Sequence, residues 1–352
     1  MGVVGLGHWG PNLLRVLSGL DSVDIKWMAD LDVDRVGRMQ RRYPAARGTT
    51  RFDDILEDES VDAVVIATSV LTHFDLALRS LQAGKHTFVE KPLATSSDMA
   101  DRLVAEAEER RLLLTCGHTF LYSPAVRAVK DLLVARALGD LFFVSSTRVK
   151  LGLHQRDVSV VWDLGPHDFS ILLYWLEELP TSVRAVGRDS VVKGIPDVAF
   201  VTLVFASGLV ANIELSWLAP SKLRRTVLVG NEGMVVYEDG APEPIKVFDH
   251  KVVYEDPETF GEYHLSYRTG DIHTPKIETF EPLALELRDF VRAMETGSRM
   301  PGHLLLTKRI VRLTEAAEES LRSGGDVVAL HPSGRFESLD SRASPCVPGP
   351  RD

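Results

Sequence analysis

The chain has 352 residues, a formal net charge of −10 and 45% hydrophobic residues, enough for about two domains of ordinary globular balance. The acidic charge argues against a nucleic-acid partner, which needs a basic face, and no apolar run approaches the ~20 residues of a membrane span. The two cysteines, Cys116 and Cys346, offer neither a disulfide framework nor metal-ligand spacing, so a reducing cytoplasm and no metal are expected.

The first informative peptide is GLGHWG at residues 5–10. It follows the short apolar run 1–4 and opens a helical pattern, and Asp30 stands twenty residues beyond Gly10 at the end of a strand-like run, 24–29. This is the layout of a dinucleotide-binding strand–helix–strand unit. Gly5 permits the tight turn, Gly7 lets the backbone approach a pyrophosphate, and Gly10 lets the helix pack on its strand. His8 and Trp9 complete the turn and count with the cofactor-binding residues. The pyrophosphate is expected on the free N–H groups and positive end of that helix. Asp30 can accept hydrogen bonds from ribose hydroxyls and repels a 2′-phosphate. The next residue is Leu31, not Arg or Ser, so NAD is expected in preference to NADP. The chain begins directly in this strand, so no signal peptide is expected, and the brevity of 1–4 leaves open a start farther upstream.

The runs 61–67, 86–89 and 112–116 read as buried parallel strands. Between them, Phe74, Leu76, Ala77, Leu78 and Leu81 mark one buried helix face, and Met99, Leu103, Val104 and Ala107 another, with Ser96 or Ser97 as N-cap. The alternation predicts a doubly wound parallel sheet over 1–120. In such a sheet the strand carboxyl ends face the ligand. That makes Thr68, Ser69 and His73, after the third strand, candidate cofactor contacts, although capping the next helix accounts for Thr68 and Ser69 equally well. The fourth strand ends in Glu90-Lys91-Pro92. Either this is a surface turn, or Glu90 and Lys91 lie over the cofactor with Lys91 reaching a substrate oxygen; a partly desolvated lysine exchanges protons nearer neutrality.

After about residue 120 the period changes. A helix is predicted over 124–137, then a turn at Gly139-Asp140 and a strand over 141–150. Further strands are predicted at 198–205, 209–217, 223–229 and 234–237, with turns at Ser207-Gly208 and at 231–233. Leu209, Ala211, Ile213, Leu215 and Trp217 alternate with Asn212, Glu214 and Ser216, the pattern of an antiparallel sheet with one apolar face. Helices follow at 282–296 and 303–322. Residues 121–335 therefore read as an α+β substrate domain, and 336–352 as a disordered Pro/Ser/Gly-rich tail. Tyr122, His154, Gln155 and Arg156 are candidate polar contacts to a substrate, with a plain surface loop the equal alternative for the last three. In WDLGPHD at 162–168, Asp163 and His167 are four apart, on one face if the segment is helical. A carboxylate beside an imidazole makes a general base near pH 7. Alternatively Asp163 caps a helix with Pro166 in its first turn, and His167 is a core histidine.

GLGHWG, Asp30, ATSVLTH at 67–73, VEKPLA at 89–94, GHTFLYSPAVR at 117–127 and WDLGPHD together resemble the Gfo/Idh/MocA oxidoreductases, named after glucose–fructose oxidoreductase and inositol dehydrogenase. The resemblance runs to about residue 330. It implies a Rossmann domain followed by a domain with a large, mostly antiparallel open sheet that packs on another subunit, giving a homodimer or homotetramer. It implies that Lys91, Asp163 and His167 are catalytic and touch the substrate, and that the bond before Pro92 is often cis. Ser170 departs from the pattern, since many relatives carry an acid there; Asp168 instead adjoins the histidine. The activity implied is hydride transfer between NAD(P) and a sugar or cyclitol. The alternatives are a nucleotide-sugar dehydrogenase or ketoreductase, a dinucleotide-binding regulator without turnover, and an NAD-dependent glycosidase.

Overall fold

The structure, a computed structural model, describes residues 1–152, 157–249, 251–254, 265–268 and 270–330, with backbone alone in 251–254 and 265–268. These form two compact units. The first takes in Met1–Tyr122 and Glu281–Glu315, the second Ser123–Phe280 and the described residues from Ala316 onward.

In the first unit the chain runs β1 (Gly2–Val4), α1 (Gly10–Leu17), β2 (Trp27–Ala29), α2 (Val33–Arg42), β3 (Arg47–Thr49), α3 (Asp53–Leu56), β4 (Ala63–Ile66), α4 (His73–Gln82), β5 (His86–Glu90), α5 (Ser97–Arg110) and β6 (Leu114–Gly117). The strands form one parallel sheet in the order β3-β2-β1-β4-β5-β6. The order reverses between β1 and β4, the switch point where doubly wound sheets bind ligands. Ala63, Val64, Val65 and Ile66 are all fully buried, as expected of a strand covered on both faces. Ser96 is the N-cap of α5, its side chain accepting the Met99 N–H. Met99 itself is 36% exposed, so the buried face of α5 begins at Ala100 and Leu103 instead.

The second unit runs α6 (Pro124–Val134), β7 (Leu141–Leu151), α7 (Val160–Leu176), β8 (Pro180–Arg188), β9 (Val198–Phe205), β10 (Val210–Ser216), β11 (Leu218–Gly230), β12 (Met234–Glu238), β13 (Ile245–Phe248), β14 (Lys251–Tyr254), β15 (Leu265–Arg268), β16 (Ile272–His273) and, after two helices, β17 (Val328–Ala329). Nine strands form one sheet, β16-β13-β12-β11-β7-β10-β9-β8-β17, and β14 pairs with β15 alone. Among the described residues of the larger sheet, only β7 and β10 pair in parallel. Ala211, Ile213 and Leu215 of β10 are buried with Ala199, Val201 and Leu203 of β9, and α7 packs over them. β11 begins five residues earlier than the apolar run, with a register shift between Leu218 and Leu223 around Pro220, whose ring nitrogen cannot donate to the ladder.

The two helices are α8 (Pro282–Thr296) and α9 (Pro301–Arg322). α8 and the first part of α9 belong to the first unit. Leu283, Leu287, Phe290 and Val291 join the core made by Leu13, Leu14, Leu17 and Met28. The sequence order suggested two consecutive domains. Instead 281–315 returns to the first, because the apolar face of α8 completes the core beside α1. The expected tail, 336–352, lies outside the described residues.

Candidate active site

The glycine turn is built as its residue types require. Gly5 has φ +91, a left-handed conformation that costs a side chain but not glycine. A Cβ on Gly10 would lie 1.9 Å from the Gly5 carbonyl oxygen, so only glycine lets α1 start this close to β1. A Cβ on Gly7 would meet only an Arg35 guanidinium nitrogen at 3.4 Å, leaving that backbone approachable. Asp30 follows β2 and holds the turn: Leu6 N–H donates to its Oδ2 at 2.7 Å and Asp32 N–H to its Oδ1 at 2.9 Å. A carboxylate has about four lone-pair sites, so acceptor capacity is left for ribose hydroxyls. Arg35 of α2 stands 3.6 Å from Asp30 Oδ2. No motif marks it; its position five residues after the acid is the only signal. The turn, the helix start and the acid fit a dinucleotide. His8 is exposed and Trp9 is 36% exposed at the N-cap of α1.

At the ends of β4 and β5 the expectations divide. Thr68 Oγ1 and Thr72 Oγ1 lie 2.7 Å apart, and Ser69 is exposed; Ser69 precedes the short Val70–Thr72 turn without capping it through its side chain. His73 is 1% exposed, with Nδ1 2.8 Å from the Pro92 carbonyl and Nε2 3.2 Å from the Thr68 carbonyl. It ties these two loops together and is not open to a ligand, a correction to its expected cofactor contact. Lys91 is half-buried, and the Lys91–Pro92 peptide is cis. Glu90 points inward and is 9% exposed. Burial pushes its carboxyl up to about 7, against the Lys91 charge and hydrogen bonds from the Trp9 side chain and the Lys91 backbone.

In the second unit, WDLGPHD lies within α7, whose N-cap is Ser159. Pro166 is therefore inside the helix rather than in its first turn, and Asp163 is not a cap. From Val160 to Trp175 every residue of α7 is buried except Asp163, His167 and Tyr174. Trp217, fully buried after β10, donates its indole N–H to Asp163 Oδ2 at 3.0 Å. Asp168 points to the sheet side. It accepts from Ser146 Oγ at 2.8 Å and pairs with Arg148, both partners about 5% exposed or less. It is a core ion pair, and Ser170 bonds the His167 carbonyl at 2.7 Å; neither stands in for the acid that relatives carry after the histidine.

Tyr122 is 6% exposed, and it lines a small cavity with Phe88, Glu286 and Phe290. Its expected place on a substrate rim is met instead by a largely buried side chain. His154, Gln155 and Arg156 lie outside the described residues.

Residues 1–118 match the family model described as "Oxidoreductase family, NAD-binding Rossmann fold", and residues 126–236 match "GFO/IDH/MocA C-terminal domain". The chain is 26% identical to the myo-inositol 2-dehydrogenase of Thermotoga maritima over 333 residues, covering 90% of this chain and 98% of that protein. It is 29% identical to the UDP-N-acetylglucosamine 3-dehydrogenase of Acidithiobacillus ferrooxidans over 225 residues, 64% of this chain and 69% of that one. The crystal structure of GenD2 from gentamicin A biosynthesis, in complex with NAD, superposes with a TM-score of 0.79 at 26% identity, covering 94% of this chain and 95% of that one. The chain belongs to the Gfo/Idh/MocA family of NAD-binding Rossmann-fold oxidoreductases.

Proposed function

We propose that this oxidoreductase transfers a hydride between NAD and a ring secondary alcohol or ketone of a sugar or cyclitol. The observation that carries the reading is the exposure pattern of α7. Over its first two turns and more, a helix otherwise sunk in the core opens only Asp163 and His167, one turn apart. Ionisable groups kept accessible on an otherwise buried helix support a functional site there.

When bound, the nicotinamide supplies the hydride acceptor. Gly5, Gly7 and Gly10 admit its pyrophosphate to the start of α1, and Asp30 accepts from the adenosine ribose. His167 takes the proton of the reacting hydroxyl, and Asp163, steadied by Trp217, orients the imidazole and favours its protonated form. Lys91 donates to the reacting oxygen and stabilises the negative charge that develops there. Holding the carbinol hydrogen over the ring is the remaining contribution.

The likeness to a myo-inositol 2-dehydrogenase supports a free cyclitol or sugar. The likeness to a UDP-N-acetylglucosamine 3-dehydrogenase supports a second reading, a nucleotide-linked sugar. Purified protein with NAD, a polyol panel and a UDP-sugar panel separates them. Reduction of NAD with one panel identifies the class. No reduction with either, despite NAD binding, is the behaviour of a regulator, and release of an aglycone without net reduction is that of a redox glycosidase.

The proposal extends to self-association and to a reducing cytoplasmic setting. Phe143 of β7, Phe200 and Val204 of β9 and Val186 of β8 share the sheet face opposite α7 by register, and are 38–51% exposed. A second copy of this chain is the proposed cover. Cys116 is a free, buried thiol, and no helix among the described residues is long and apolar enough to cross a membrane.

A further inference from the structure

The first unit buries a set of ionisable side chains around the end of β5. Glu90 is 9% exposed and Glu286 of α8 is 3% exposed. The Glu90 carboxyl lies over Gly117, its register partner on β6, where a Cβ would stand 3.1 Å from Oε2. Trp9 of the glycine turn donates its indole N–H to this carboxyl, and the Lys91 backbone N–H adds a second bond. Glu286 accepts from Thr119 Oγ1 at 2.6 Å and from the His118 backbone N–H. Glu90 Oε1 and Glu286 Oε1 are both buried without a hydrogen-bond partner among the described residues. Buried neighbouring carboxyls resist ionising together.

The groups facing the pair come from every element around it: Lys91 at the end of β5, Cys116 on β6, His118 after it, His303 on α9 and Asp289 on α8. Burial raises the Cys116 thiol and lowers both imidazoles, His303 to about 4, so all three are neutral near pH 7. Burial, with Glu90 as the second cause, holds the Glu286 carboxyl well above its ordinary range. Glu286, Thr115, Cys116 and His303 line a cavity of about 10 Å³, room for about one water to meet a carboxyl proton.

We propose that Glu90 is a positioning residue for the transfer, an inference that rests on the function proposed above: its carboxylate, buried near Glu286, is the counter-ion that fixes the Lys91 ammonium and links it through Trp9 to the cofactor turn. In the working state Glu90 is ionised, and burial beside Glu286 disfavours a second charge there. Protonating Glu90 removes the counter-ion, and Lys91 loses its hold.

The test is an infrared pH titration of the full chain saturated with NAD, comparing wild type, Glu90→Gln, Glu90→Asp and Glu286→Gln. Two bands of buried, protonated carboxyls are expected in acid. One disappears around neutrality and is missing in Glu90→Gln; the other is missing in Glu286→Gln. Absence of both bands, or survival of the titrating band in Glu90→Gln, overturns the proposal. Should Glu90→Gln not fold, Glu90→Asp must move the titrating band alone. In turnover, Glu90→Gln lowers kcat about tenfold or more, the scale of a misplaced catalytic group, at unchanged NAD affinity, and Glu90→Asp recovers part of the loss. An unchanged kcat in Glu90→Gln overturns the positioning role. If wild type turns over neither a polyol nor a UDP-sugar, the function fails and the role of Glu90 in transfer with it, while the carboxyl bands still decide the buried pair.

Discussion

The indole of Trp217 reaches from the end of β10 to α7 and donates to Asp163 Oδ2 at 3.0 Å. The carboxylate one turn before His167 is thus held from the sheet, not left to solvent. A hydrogen bond to a carboxylate contributes about 1.5–3 kcal/mol. Trp217→Phe keeps an aromatic ring and removes the donor. It is expected to lower kcat about tenfold while NAD affinity stays the same, as steady-state kinetics and a binding titration would reveal. A normal kcat would detach Trp217 from the chemistry.

Arg148 and Asp168 form an ion pair in the core of the second unit. Removing one partner strands a buried charge, at a cost of about 3–5 kcal/mol. Arg148→Met should therefore unfold at much lower urea concentration, and Arg148→Met with Asp168→Leu should regain most of the loss. Equal stability of the single and double variants would contradict this.

Glu90 gives stability a definite pH signature. Its folded value is about 7 against an ordinary 4.5. Between those values the folded protein keeps a proton that the unfolded chain releases, so this group's contribution falls as pH rises through the window, by up to about 3 kcal/mol. His303, lowered to about 4 from 6.5, acts in the opposite sense but is common to wild type and variant. The stability of Glu90→Gln relative to wild type should thus rise from about pH 4.5 to about pH 7. A constant difference would contradict the raised value.

Much of this was legible in the sequence because the chemistry demands particular residue types. Gly5 and Gly10 occupy positions where a Cβ collides, and β9 and α8 lie where period and punctuation put them. β8 escaped notice because only Val183 and Ala185 are its apolar inward residues, among threonine, serine and arginine. The return of α8 to the first unit was hidden because amphipathic periodicity gives a buried face without naming its partner. His73 and Tyr122 look alike as ligands or as packing until their surroundings are known: His73 faces two carbonyls and Tyr122 is largely buried. Glu286 carries no motif, and only the fold brings it to Glu90.

The proposed preference for NAD is placed on Asp30, which has Arg35 beside it. Asp30→Ser combined with Leu31→Arg removes the charge that repels a 2′-phosphate and adds one that attracts it. Preference should move toward NADP in paired binding titrations. No change would mean that Asp30 does not meet the ribose.

The central claim is that Lys91 and His167 carry out proton and charge handling for hydride transfer to a polyhydroxylated substrate. Its most direct test is the rate of NAD reduction by wild type, Lys91→Ala and His167→Ala with the same substrate, alongside NAD affinity. Each variant is expected to lose about 10²-fold or more in turnover while binding NAD as the wild type does. Two variants turning over near the wild-type rate would contradict the account.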